Sequence, residues 1–183
     1  MAYSYNLKHQ QRINEILETT ALAYDNPHAA HYMFKLDDVG FMRYFATYMR
    51  RKIKQRYSYA VSFEHKHGEV GLHAHMMLVV DCTGKPTDMI LHEIRKVLAT
   101  LKGVRVVNGT ASVSLECRKV KGNKYQKLYT PNGKLVLSHD LKSELPDAKA
   151  RFSYLAKIDQ KQLLAKTKTF TSRLNPAIKT VES

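Results

Sequence analysis

The stretch from Tyr57 to Val80 limits the fold more than any other part of this chain. Tyr57, Tyr59, Val61 and Phe63 alternate with Ser58, Ala60, Ser62 and Glu64, the two-residue period of a strand with one large apolar face and one small, polar face. A short polar loop through Lys66 and Gly68 follows, and Leu72 to Val80 reads as a second strand. Strands joined by so short a connection pair antiparallel, because a parallel return needs a crossover of a dozen or more residues.

The second strand carries His73-Ala74-His75. Residues two apart on a strand share a face, so the two imidazoles stand side by side, while Leu72, Ala74, Met76, Leu78 and Val80 go to the other side. Directly opposed residues on neighbouring strands also share a face. Pairing Glu64 with either His73 or His75 therefore brings a carboxylate to the two imidazoles, a three-ligand candidate metal site. Spacing alone is weak evidence. Nine histidines in 183 residues give about 0.4 His-x-His pairs by chance, and the chain has two, the other being His65-Lys66-His67. The latter pair falls in a Gly-containing polar stretch and is set aside, whereas a strand fixes the geometry of His73 and His75.

Around this pair, apolar periodicity predicts further elements. Residues 8–24 carry Ile13, Ile16, Leu17, Thr20 and Tyr24 on one helical stripe and stop before Asp25-Asn26-Pro27. Ala30 to Leu36 reads as a strand, and Asp37 or Asp38 then caps a helix with Val39, Met42, Phe45, Met49 and Ile53 on its apolar face. Thr87 caps a helix with Ile90, Ile94, Val97, Leu98 and Leu101, closed by Gly103. Val104–Val107 and Ala111–Cys117 read as strands about the hairpin signal Asn108-Gly109. The basic, Tyr-containing segment 118–140 reads equally as a hairpin or a loop, and Pro146 starts a helix to about Leu164. This order implies an α+β domain, an antiparallel sheet with helices packed on one face. Residues 1–165 form the domain, and 166–183 a basic arm.

Charge narrows the partner. Thirty Lys and Arg against 16 Asp and Glu give +14 with neutral histidines, a field that favours a polyanion. An anionic membrane surface is the lesser candidate, since the basic residues are spread over several elements instead of one amphipathic face. The longest apolar run is Met76–Val80, and the N-terminus lacks a charged-then-apolar plan, so a cytoplasmic location is expected. Cys82 and Cys117 have no paired spacing and read as incidental thiols.

A second chemical candidate lies near the end of the chain. In Tyr154-Leu155-Ala156-Lys157 a helix places Lys157 one turn above Tyr154, with Arg151 one turn below it. A phenol ionises near pH 10, and adjacent cations favour the phenolate nucleophile or hold a phosphate. The pattern Tyr-x-x-Lys also occurs at Tyr5 and Tyr32, so the motif alone decides nothing.

The combination of a strand ending in Phe63-Glu64, a strand with His73-Ala74-His75 and an apolar run, and a late Tyr154/Lys157 resembles the HUH endonucleases, single-strand nicking enzymes. Tyr59–Asp81 and Phe152–Lys157 look like the replication initiators of filamentous phages and related prophages, and Phe170–Arg173 matches them loosely. The resemblance implies a sheet of about five strands, nickase-like and of the ferredoxin or RNA-recognition-motif type. It also implies a Mg²⁺ or Mn²⁺ ion on Glu64, His73 and His75, and Tyr154 as the sole nucleophile assisted by Lys157. The substrate would be single-stranded DNA at a replication origin, bound by Arg50, Arg51, Lys52, Lys54 and Arg56 and by Arg118, Lys119, Lys121, Lys124 and Lys127, with Tyr125 and Tyr129 stacking on bases. Such an initiator would work in a bacterial host's cytoplasm with that host's helicase and polymerase. Within the same superfamily a transposase or relaxase fits as well. Outside it, the alternative is a basic nucleic-acid-binding module with incidental histidines.

Overall fold

The computed structural model describes residues 5–36, 42–66, 71–100, 104–106, 138–157 and 169–178. Helix α1 (Leu7–Ala23) leads into strand β1 (Pro27–Leu36), helix α2 (Met42–Lys52), strands β2 (Tyr57–Lys66) and β3 (Gly71–Asp81), helix α3 (Thr87–Ala99) and strand β4 (Val104–Val106). Strand β5 (Ser138–Asp140), helix α4 (Leu145–Phe152), a 3₁₀ turn (Ser153–Ala156) and strand β6 (Phe170–Arg173) complete the described elements. The caps expected at Asp37 or Asp38, the Asn108-Gly109 hairpin, Ala111–Cys117 and the segment up to residue 137 lie outside the described residues.

The alternation in β2 and the apolar run in β3 produce the predicted antiparallel pair, in register from Tyr57 opposite Val80 to Lys66 opposite Gly71. On its other side β3 pairs with β1, and the sheet runs β4-β1-β3-β2-β6. β5 shares the outer edge of β1 with β4, so the sheet has six strands, all antiparallel to their neighbours. From Pro27 to Val106 the order is βαββαβ with the strands arranged 4-1-3-2, an arrangement consistent with a ferredoxin-like fold.

β3 is buried from His73 to Asp81, and the reason lies in its sequence: Met76, Leu78 and Val80 serve one face while Met77 and Val79 serve the other. A strand apolar on both parities needs cover on both sides. On one face Tyr57, Tyr59, Val61, Phe63 and the even residues of β3 pack against Phe45 and Met49 of α2 and Ile90, Ile94 and Leu98 of α3. On the other, Ala29, Ala60, Met77 and Val79 pack against Ile13, Ile16 and Leu17 of α1 and Ala148 and Phe152 of α4. The expectation of helices on one face therefore holds for α2 and α3 only. α1 begins where Asn6 Oδ1 accepts the His9 N–H at 3.2 Å, and its stripe is the predicted one. Thr87, expected as a cap, is the first residue of α3, and Pro86 stands in the cap position without a side-chain bond.

The supposed arm contributes to the sheet. Phe170–Arg173 pairs with Tyr59–Ser62 of β2, and Phe170, Leu174 and Ile178 pack onto the α1 side of the core. Cys82 is buried, which pushes its thiol up to about 11. Among the described residues no helix is long and apolar enough to cross a membrane.

The end of the β2–β3 pair opposite the histidines is locked by Asp81. Its carboxylate accepts hydrogen bonds from Asn26 N–H (3.1 Å), Thr83 Oγ1 (2.6 Å) and Arg56 Nε (3.0 Å). Burial alone would raise this carboxyl, but the bonds from Thr83, Arg56 and the backbone outweigh it and hold it below the ordinary range. A depressed folded pKa contributes stability that is present above the unfolded value near 4 and is lost as pH falls through the folded value. Asp81→Ala is expected to cost about 2–3 kcal/mol at neutral pH, with a smaller deficit at pH 2, measured by chemical denaturation at both pH values. Equal losses at the two pH values would show that the ionised carboxylate is not the source.

Candidate metal centre

The register places Glu64 directly opposite His73, one of the two pairings expected from parity, and Ser62 opposite His75. Glu64, His73 and His75 are 1%, 3% and 8% exposed. His73 Nε2 lies 3.6 Å and His75 Nε2 3.9 Å from the same oxygen, Glu64 Oε2, and one ligand atom from each residue falls within 4.8 Å of the others. Ser62 Oγ donates to the second oxygen, Oε1, at 3.4 Å.

The donor set suits a divalent cation, because the tautomers can leave both Nε2 atoms as lone pairs. His73 Nδ1 donates to the Gly71 carbonyl at 3.0 Å, and its Nε2 is the nitrogen that faces Glu64. Gly71 sits at φ +56°, in the left-handed region open to glycine, at the point where β3 begins. His75 Nδ1 meets His31 Nε2 at 3.1 Å. Two imidazoles and a carboxylate are mixed nitrogen and oxygen ligands, compatible with several divalent ions. A cation at this position would set a positive charge beside the buried Glu64 carboxylate.

Two further residues near this centre stand outside the three-ligand set, both on β1. His31, 9% exposed, contacts His75 as above, and burial, with His75 and Arg151 adding to it, holds its imidazole well below the usual range. Lys35 lies opposite His73 on the sheet, so the row across the three strands reads Lys35, His73, Glu64. The signal for both is the parity of β1, usable only once its register against β3 is known.

Tyr154 reaches the same place from the end of the chain. Its ring meets the His75 ring edge-on, with centroids 5.3 Å apart and planes at 80°. The helix carrying it is shorter than predicted: α4 ends at Phe152, the chain tightens into the 3₁₀ turn, and Lys157 is extended. The N-terminal segment captures this turn, since Asn6 N–H donates to the Ala156 carbonyl at 2.8 Å and Tyr5 bridges Lys157. Lys157, 6% exposed, keeps its ammonium 5.5 Å from the Tyr154 ring centroid. Arg151, the other expected cation, has its Nη1 donating to His139 Nε2 at 3.4 Å. Burial lowers the Arg151 guanidinium to about 10, which leaves it charged at neutral pH.

His65, set aside as part of a polar loop, belongs instead to β2, opposite Leu72 and on the face away from Glu64. The run Arg50–Arg56 adjoins Tyr57, where Arg56 binds Asp81. Tyr57 and Glu64 lie seven residues apart on β2, roughly 23 Å along a strand. Arg118, Lys119, Lys121, Lys124, Lys127, Tyr125 and Tyr129 lie outside the described residues. Comparison with protein-family models, with curated proteins and with solved structures finds no match to this chain.

A cation bound only by the folded protein stabilises it by about 2.7 kcal/mol at a hundredfold excess over Kd. Thermal melts with and without Mn²⁺ should therefore show an upward shift in the wild type and none in His73→Ala or His75→Ala. An unshifted wild type up to millimolar Mn²⁺ would remove the metal assignment.

Proposed function

We propose that this protein is an HUH-type endonuclease that nicks and rejoins single-stranded DNA at a replication origin, initiating rolling-circle replication of a phage or other mobile element. The observation that carries this reading is the contact between Tyr154 and His75, which brings a tyrosine from the end of the chain against a buried Glu64, His73, His75 cluster on the central strands. A tyrosine placed there by chance packing has no need of a metal site, nor the cluster of a phenol. Together they supply a nucleophile and an electrophile-activating centre.

In this mechanism Glu64, His73 and His75 hold Mg²⁺ or Mn²⁺, which when bound supplies Lewis-acid stabilisation of charge on the scissile phosphate. The Tyr154 phenolate oxygen attacks phosphorus, forming the O–P bond of a 5′-phosphotyrosine, while the bond from phosphorus to the 3′-oxygen breaks. The leaving 3′-oxygen takes up a proton and becomes the hydroxyl a polymerase extends. Rejoining is the reverse: a 3′-hydroxyl attacks the phosphotyrosine and Tyr154 leaves. Lys157, buried beside the ring, favours the phenolate and the charge developing on the phosphate. Lys35, in the same sheet row as His73, adds a cation on that face. The host's helicase and polymerase would then unwind and copy the strand.

A labelled origin oligonucleotide incubated with the protein and Mn²⁺ should yield a covalent adduct on a denaturing gel. Tyr154→Phe should abolish it and Lys157→Ala should slow it by about 10²-fold or more. An adduct of wild-type yield from Tyr154→Phe would sink the nucleophile assignment.

The position of Arg50, Arg51 and Lys52 in the last turn of α2, near Tyr57 at the end of β2 far from Glu64, gives them a separate part in this scheme, that of holding DNA away from the cut. Replacing all three by Ala should leave the adduct yield on a saturating short oligonucleotide unchanged. On longer single strands it should flatten the salt dependence of binding, by a slope of about 0.7 for each phosphate that is no longer neutralised. A parallel drop in adduct yield would instead put the run at the scissile phosphate.

A further inference from the structure

We infer that His31 is a positioning residue for His75, its Nε2 accepting the His75 Nδ1 proton and thereby turning the His75 Nε2 lone pair toward the Glu64 cluster; this rests on the reading of His75 as a metal ligand. The contact is 3.1 Å long and admits only two proton arrangements. If His31 were the donor, His75 would carry its proton on Nε2, the nitrogen that faces Glu64 Oε2, and no lone pair would be left there to bind a cation. If His75 is the donor, it matches His73, whose Nδ1 proton is committed to the Gly71 carbonyl. Both candidate ligands are then oriented through Nδ1, one by a backbone carbonyl and one by a side chain, the usual way a ligating imidazole is fixed.

The surroundings of His31 fit this part. It lies on β1 opposite Met77, which places it on the same face as His75 and diagonal to it across the strand pair. Its ring is wedged edge-on against Phe152 at a centroid distance of 6.0 Å. Phe152 closes α4, and Tyr154 packs on His75 two residues later. One short segment thus steadies both the orienting ring and the ring it orients.

The test uses the full chain with ¹⁵N-labelled histidines, metal-free, and reads the His75 tautomer from its imidazole nitrogen shifts. In the wild type the proton should be on Nδ1; a wild-type Nε2–H tautomer overturns the proposal without any variant. His31→Phe fills the site and removes the acceptor, and should leave His75 a mixture of tautomers, whereas His31→Gln, whose amide oxygen can accept, should restore the Nδ1–H form. Mn²⁺ affinity should fall about 10- to 100-fold in His31→Phe and recover in His31→Gln. An unchanged tautomer in folded His31→Phe also overturns the positioning role. Absence of Mn²⁺ binding in a wild type whose tautomer depends on His31 would overturn the metal reading alone, so the two failures are separable.

Discussion

Register between β2 and β3 is the constraint on which everything else in this molecule rests. Because side chains alternate faces, a slip of one residue would send Glu64 to the face of Tyr59 and Phe63, and would bury their rings where Ser58 and Ser62 now stand. Two features oppose such a slip. The large residues of β2 fill the space under α2 and α3, where Phe45 meets Tyr59 edge-on at 5.9 Å, and Asp81 ties the far end of β3 to Asn26 and Arg56. Packing at one end thus sets the geometry of the polar cluster at the other.

The parity of that register, though not which of His73 and His75 stands opposite Glu64, is legible in the sequence because both strands announce it, β2 through large and small residues in alternation and β3 through His73 and His75. The cover on both faces is harder to see, although Met77 and Val79 already require it, since an unbroken apolar run looks alike whether one or both of its sides are packed. The end of α4 is hidden for a different reason. No local signal stops a helix at Phe152; the turn is drawn out by Asn6, about 150 residues away in sequence, taking the Ala156 carbonyl. His31 and Lys35 are hidden likewise, since β1 acquires its partners only through the nonlocal pairing with β3. The strand Phe170–Arg173 is four residues long and polar over three of them, too short for periodicity to mark.

The polar end of the sheet runs against the economy of the rest. Tyr32, Tyr59 and Phe63 are buried in contact with apolar neighbours, while Glu64, His73, His75, His31 and Lys157 are buried with polar heads that burial penalises. A sheet optimised for stability alone would replace them with apolar residues of similar volume, often at no loss. Local rules are broken in this way chiefly where a site is being held. The violations here cluster at one end and one face, where three strands and the 3₁₀ turn converge.

Charge at that end also favours the proposed substrate class over a neutral one. The cluster itself brings a single carboxylate, Glu64. Set against it are the Lys157 ammonium beside Tyr154, the buried guanidinium of Arg151 behind His139, and Lys35 in the His73 row. In a region shielded from water the fields of these cations are felt more strongly than on the surface. An anionic phosphodiester entering such a site would replace water as the partner of those cations. Part of the overall charge of +14 is thus buried beside the one tyrosine that meets the histidine cluster among the described residues.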